Sequence, residues 1–386
     1  MKRLPGTTAF LPQSFRQWSN LLLGRASEAL RPLLKVAGRI PARGKITPPQ
    51  EWRRGLIFGH NHMGDVLYRT GSLPILRDAL PGCRWSFVTA PESKDLLVNN
   101  PHVEKVFAVQ EGDNAWSMSF DNFVQLRSQK FDVALCSNSL RYYPDLAVAA
   151  ALGIPNRVSF VHKGMSGLVT HPVPIEFPSA YAAYFRTIVA SVTHRSPDWS
   201  LRPQVYLDAN AANVANHVFD DIDIGWPVIA CVLTTRQARG NWPRGMLLEV
   251  LRQARKQGKF LVAFCGSHGD AHELPKIVES YPHEKVIVAG RLSILPFAGF
   301  LARCTALLTL DSGPRHLGNA MGIPVIFARN MSHSQVEAGA YCDTEVDIAP
   351  SGDYLTDEQI QIAAADTPTR RGVNALLEVI SRAQRA

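Results

Sequence analysis

From residue 55 onward the chain alternates two textures. Short runs dense in Val, Ile, Leu and Phe, at 56–58, 85–89, 103–109, 131–136 and 157–161, have the length and composition of strands. Between them lie stretches long enough for crossover helices, the first at 65–80 and stopped by Pro81-Gly82. That alternation predicts a parallel sheet, because parallel neighbours need a crossover of a dozen residues or more. A second series follows the proline- and polar-rich stretch 196–203. It has strands at 228–233, 260–265, 285–289, 306–310 and 324–327, and helices at 244–256, 272–280, 294–303 and 314–321. The expectation is an α/β chain of two doubly wound, Rossmann-like domains facing across a cleft, for which 386 residues suffice. The expected divisions are an N-terminal extension at 1–54, domains at 55–205 and 206–366, and a closing helix at 367–386.

Composition narrows the class. With 46% hydrophobic and 19% charged residues the chain is globular. No apolar run approaches the roughly 18–20 residues that cross a bilayer. The Leu21-Leu22-Leu23 cluster is too short for a secretory signal. The six cysteines stand singly without a C-x-x-C pair, the usage of reduced, buried thiols in a cytoplasm.

Charge is unevenly placed. Eleven lysines and arginines against Glu28 and Glu51 give residues 1–54 nine positive charges, against +8 for the whole chain, so the rest is close to neutral. A nucleic-acid partner therefore loses its main support. Within the leader, Phe15, Trp18, Leu22, Leu30, Leu33 and Leu34 recur at near-helical spacing, interleaved with Arg16, Arg25, Arg31, Lys35 and Arg39. Such a helix can lie on anionic lipid, pack on the following domain, or be a loosely ordered extension.

In doubly wound sheets ligands bind beyond the carboxyl ends of strands, so the loops there carry the candidate chemistry. The first is His60-Asn61-His62-Met63-Gly64-Asp65. Asp65 at the start of the helix is either a general base for an acceptor hydroxyl or an N-cap. A metal held by His60, His62 and Asp65 lacks a second ligand cluster. The second is Asp311-Ser312-Gly313-Pro314-Arg315-His316-Leu317, where free N–H groups at a helix start suit a diphosphate. Asp311 binds sugar hydroxyls or caps. The third, Thr234-Thr235-Arg236-Gln237-Ala238-Arg239-Gly240-Asn241-Trp242-Pro243, offers hydroxyls and guanidiniums to the same phosphates, or two solvated arginines.

Together these stretches, with Asn100-Pro101-His102-Val103 and Ala320-Met321-Gly322-Ile323-Pro324, resemble glycosyltransferase family 9, the bacterial heptosyltransferases of lipopolysaccharide core assembly. The resemblance runs from residue 55 to the C-terminus. It implies a GT-B fold, an ADP-heptose donor, inversion at the anomeric carbon, and neither cofactor nor catalytic metal. It makes Asp65 the general base, with His60, Asn61, His62, Met63 and Gly64 as the acceptor loop. Thr234, Thr235, Arg236, Arg239, Ser312 and Gly313 become diphosphate contacts, and Asp311 and His316 donor-sugar contacts. Asp270 or Glu273 would hold the ribose. Two departures stand out: histidines flank Asn61 where small hydroxyl residues are usual, and Arg239 stands in for a lysine before Trp-Pro. The implied partners are a nucleotide-diphosphate sugar and a glycan or glycolipid acceptor. Alternatives are another nucleotide sugar used for capsule, O-antigen or a secondary metabolite, a non-catalytic glycolipid-binding scaffold, and a nucleotide-sugar epimerase.

Overall fold

The computed structural model describes residues 29, 31–37, 44–59, 62–109, 118–137, 145–161, 165–174, 179–197, 201–220, 222, 225–235, 241–350, 356–363 and 367–385. The chain divides into two compact units, Met1–Trp199 and Ser200–Ala386. Most of the basic leader lies outside the described residues; a helix at Arg31–Ala37 (α1) runs beside the turn at Ser166–Leu168.

The first unit is built on six strands, β1 (Arg54–Phe58), β2 (Arg84–Thr89), β3 (Lys105–Ala108), β4 (Val133–Cys136), β5 (Asn156–Phe160) and β6 (His171–Val173). All pair in parallel, in the order β3-β2-β1-β4-β5-β6. Their side chains do not alternate between core and solvent: Leu56, Ile57 and Phe58 are all buried, as are all four residues of β4. Crossover helices cover both faces, which is why the central strands β1 and β4 read as short apolar runs.

The second unit repeats the plan with β7 (Val228–Val232), β8 (Leu261–Cys265), β9 (Lys285–Ile287), β10 (Ala306–Leu310), β11 (Val325–Ala328) and β12 (Glu345–Asp347), ordered β12-β11-β10-β7-β8-β9. In each sheet the order reverses between its first and fourth strands, β1 beside β4 and β7 beside β10. That reversal leaves a crevice at the carboxyl edge, since the crossovers leave it in opposite directions. Helix α9 (Arg244–Arg255) buries Leu247, Val250 and Leu251 against this sheet. Helix α15 (Thr367–Arg385) lies across α9 and buries Leu376. Gly372 permits that approach, because a Cβ there would sit 2.8 Å from Val250 Cγ2. Each fully buried Leu or Val contributes roughly 1.5–3 kcal/mol of transfer free energy.

Three features depart from the sequence reading. The helix expected at 65–80 is two, α2 (Met63–Thr70) and α3 (Leu73–Ala79). Pro74 cannot donate to the Thr70 carbonyl and its ring crowds it, so the helix breaks and restarts with proline in its first turn. Strands β6 and β12 were not anticipated; each has three residues, and β6 contains Pro172, tolerated at a sheet edge. Finally, the chain just before β1 is part of the first unit. Trp52 is buried edge-on to His171, and the Thr47 N–H donates to Asn156 Oδ1 at 2.8 Å. All six cysteines are buried and free, and burial pushes the Cys83 and Cys265 thiols up to about 12.

Candidate functional site

In the first unit, β1 delivers the chain to Gly59, whose N–H donates to the Val88 carbonyl. His60 and Asn61 lie outside the described residues. His62, exposed and extended, takes the N-cap position of α2 without a capping side-chain bond. Asp65 is therefore the third helical residue, not the N-cap. Its carboxylate belongs to the first turn, where the helix dipole favours negative charge. Met63, Gly64 and Asp65 are half-buried. One turn on, buried Arg69 donates to the Asp65 carbonyl and, through Nε at 3.0 Å, to Ser137 Oγ beyond β4. Arg69 thus spans the reversal between β1 and β4 and ties the Asp65 turn to the opposite strand end.

In the second unit, the loops after β7, β10 and β11 converge. Thr234 and Thr235 follow β7 and are half-buried; Arg236 and Arg239 lie outside the described residues. The loop resumes at Asn241 and at Trp242, which is buried and donates its indole N–H to the Arg329 carbonyl. After β10, Asp311 and the N-cap Ser312 lead into α12 (Gly313–Ala320), with Pro314 in the first turn. Gly313 and Ser312 are half-buried, so the N–H groups of the helix start lie at the carboxyl edge. Asn330, beyond β11, joins the three loops. Its N–H reaches Asp311 Oδ2 at 3.4 Å, and its Nδ2 donates to Asn241 Oδ1 at 3.2 Å.

Beneath the helix start lies a buried charge cluster. Arg315 Nη1 donates to Asp311 Oδ1 at 2.8 Å, and its Nε to Glu345 Oε1 at 2.6 Å. Burial pushes the Asp311 carboxyl up, but Arg315 and then His316 bring it below the ordinary carboxylate value. Glu345 is likewise lowered, desolvation being overcome by Arg315 and by hydrogen bonds from Asn319 and the Tyr341 N–H. Both acids are therefore charged at neutral pH. Burial first, and then Arg315, lower His316 to about 4, so its imidazole is neutral, with Nδ1 2.7 Å from the Tyr341 hydroxyl.

The ribose candidates lie on another loop, after β8. Asp270 Oδ2 accepts from Ser267 N and Oγ, both at 2.7 Å, closing a capping box. Glu273 is exposed and pairs with His272 and Lys276. Thus Asp311, His316, Ser312, Gly313 and the end of the Thr234 loop share one crevice edge of the second unit. Asp65, with His62, Met63 and Gly64, occupies the corresponding edge of the first. Sequence reasoning missed Asn330, Tyr341 and Glu345. Asn330 could have been found as the polar residue just past a predicted strand; Glu345 sits on a strand too short to read. Among the described residues no group of three His, Cys, Asp or Glu side chains is placed to hold a metal, and no helix is long and apolar enough to cross a membrane.

Comparison with known proteins places these loops in context. The family model described as "Glycosyltransferase family 9 (heptosyltransferase)" matches residues 122–336. No curated protein sequence matches the chain. Among solved structures, a family 9 glycosyl transferase from Veillonella parvula has a TM-score of 0.70 at 16% identity, covering 88% of this chain and 100% of that one. The E. coli ADP-heptose lps heptosyltransferase II has 0.66 at 17%, covering 86% and 99%. E. coli heptosyltransferase WaaC with ADP has 0.60 at 15%, covering 86% and 98%. At such identities the likeness is one of fold, the GT-B arrangement of two parallel six-stranded sheets.

Proposed function

The chain belongs to glycosyltransferase family 9, and from that membership we propose an inverting transfer of heptose from ADP-heptose onto a lipopolysaccharide core or a related bacterial surface glycan. The observation that carries this reading is the convergence of the loops after β7, β10 and β11 on the N-terminus of α12. Because β7 pairs beside β10, Thr234 and Thr235 follow a strand end next to the one that leads into α12, whose backbone N–H groups and dipole suit an anionic diphosphate. WaaC, similar in fold, was solved with ADP.

In this reading the second unit holds the donor: Ser312, Gly313, Thr234, Thr235, Arg236 and Arg239 on the diphosphate, Asp311 and His316 on the sugar, and Asp270 or Glu273 on the ribose. The first unit presents the acceptor hydroxyl to Asp65 through the loop His60-Asn61-His62-Met63-Gly64. Asp65 takes the hydroxyl proton as the oxygen attacks the anomeric carbon from the face opposite the diphosphate. The bond from that carbon to the diphosphate oxygen breaks, and the departing negative charge meets the N–H groups of α12. Backbone dipoles and cationic side chains supply that stabilisation, so the transfer calls for neither metal nor cofactor. The enzyme works in the cytoplasm, with its basic leader against the anionic inner face of the membrane. Exposed Leu33 and Val36 on α1, beside exposed Arg31, support that docking.

Thermal shift with ADP, GDP, UDP, dTDP and ADP-heptose tests the donor. A ligand at about 100 times its Kd adds roughly 2.7 kcal/mol to stability. ADP and ADP-heptose are expected to raise the melting temperature. A rise with another nucleotide in their place would remove ADP-heptose.

A further inference from the structure

Arg315 is fully buried, yet it carries a permanent charge four residues after Asp311. Its planar fork is engaged on every side. Nε and Nη2 hold the two oxygens of Glu345 at 2.6 and 3.1 Å, Nη1 holds Asp311 Oδ1 and the Ala338 carbonyl at 2.8 Å each, and Nη2 also reaches the Gly339 carbonyl at 2.6 Å. One face of the fork stacks on Phe327, with Cζ 3.5 Å from the ring centroid. Glu345 is fixed in turn by Asn319 Nδ2 and by the N–H groups of Tyr341 and Cys342. A charge so thoroughly anchored cannot follow a partner; its partner must follow it.

We infer that Arg315 is a positioning residue of the donor side, setting where the Asp311 carboxylate stands without itself touching substrate. The inference rests on the reading that Asp311 contacts the donor sugar. A carboxylate has about four lone-pair sites, and the bonds from Arg315 Nη1 and Asn330 N leave capacity for sugar hydroxyls. Geometry, beyond charge, is what Arg315 contributes. A lysine would bring the cation but not the fork that binds Glu345, Asp311 and two carbonyls at once.

The test is calorimetric titration of the full chain with ADP-heptose and, separately, ADP. Because Asp311 acts on the sugar, D311N should weaken ADP-heptose on the order of tenfold while leaving ADP within about twofold. R315M should do the same, and D311N/R315M should lose no more than D311N alone. R315K should fall with R315M, since the fork is gone. A purely structural Arg315 would weaken both ligands together, or add its loss to that of D311N; either result overturns the inference. So does an R315M protein that melts cooperatively and keeps the wild-type preference for ADP-heptose over ADP. Should R315M fail to fold, E345Q loosens the anchor at nearly constant shape, and an unchanged preference there overturns it too. The donor reading fails separately: D311N then keeps the wild-type preference, or the wild type ignores ADP-heptose, and the inference falls with it.

Discussion

Trp242 donates its indole N–H to the Arg329 carbonyl across 2.9 Å, joining the loop after β7 to the end of β11. The ring is buried as well, so it serves both core and crevice. In W242F most of the ring volume remains, but a buried carbonyl loses its partner, a cost of about 1–3 kcal/mol. W242A also opens a cavity and should cost about 3–5 kcal/mol. Denaturant unfolding of the full chain is expected to show lower midpoints in that order. An unchanged midpoint for W242F would mean the bond is dispensable.

Asp65 is expected to matter for turnover, not for folding. Losing a general base typically costs 10²–10⁴-fold in rate, so D65N should lower kcat on about that scale while its affinity for ADP-heptose stays within about twofold of wild type. Normal turnover with intact donor binding would remove Asp65 from the base role.

Acid should weaken the second unit through His316. Its folded value, about 4, lies below the ordinary 6.5 because of burial and then Arg315. Between pH 6.5 and 4 the unfolded chain therefore binds a proton that the folded chain refuses. Stability falls as pH drops through that window, by roughly 3 kcal/mol at most. Asp311 and Glu345, both held below their ordinary values, add a loss in the same direction at still lower pH. Melting temperatures of wild type and H316N between pH 7 and 4.5 check this: H316N should lose fewer degrees. Parallel curves would assign the acid sensitivity elsewhere.

Membrane docking is tested by truncation after residue 43. The cut spares Thr47 and Trp52, which belong to the first unit. Full-length protein should sediment with anionic vesicles and release in salt, since surface charges are screened beyond about 8–10 Å at physiological ionic strength. The truncated chain should stay in the supernatant while still melting in one cooperative step, although it lacks the contact of α1 with the Ser166–Leu168 turn. Equal sedimentation of both proteins would dismiss the leader as the docking element.

How much of this was legible in the sequence depends on run length. Of the twelve strands among the described residues, ten could be read, most readily those such as β4, β7 and β8 that are continuous apolar runs covered on both faces. His171–Val173 and Glu345–Asp347 are too short, and too polar or proline-bearing, to stand out. The break between α2 and α3 is written in Pro74, but hydrophobic spacing continues across it and masks the break. The loops after β7 and β10 could be read as strand-to-helix turns because glycine, proline and small hydroxyl residues mark them. The cluster behind them could not, since Arg315 meets Glu345 only through the fold, 30 positions away. Asp65 was placed in the right turn, but which helical position it takes was settled by where His62 ends the extended chain.

The all-parallel order of the two sheets has a kinetic corollary. Among the described residues no strand finds its neighbour through a hairpin; β1 meets β4 and β7 meets β10 only after loops of about 80 residues close. Refolding should therefore be slow, with collapsed species whose unzipped edges attract one another. Synthesis from the N-terminus, which lets the first sheet zip before the second emerges, would relieve that hazard in a way that dilution from denaturant cannot.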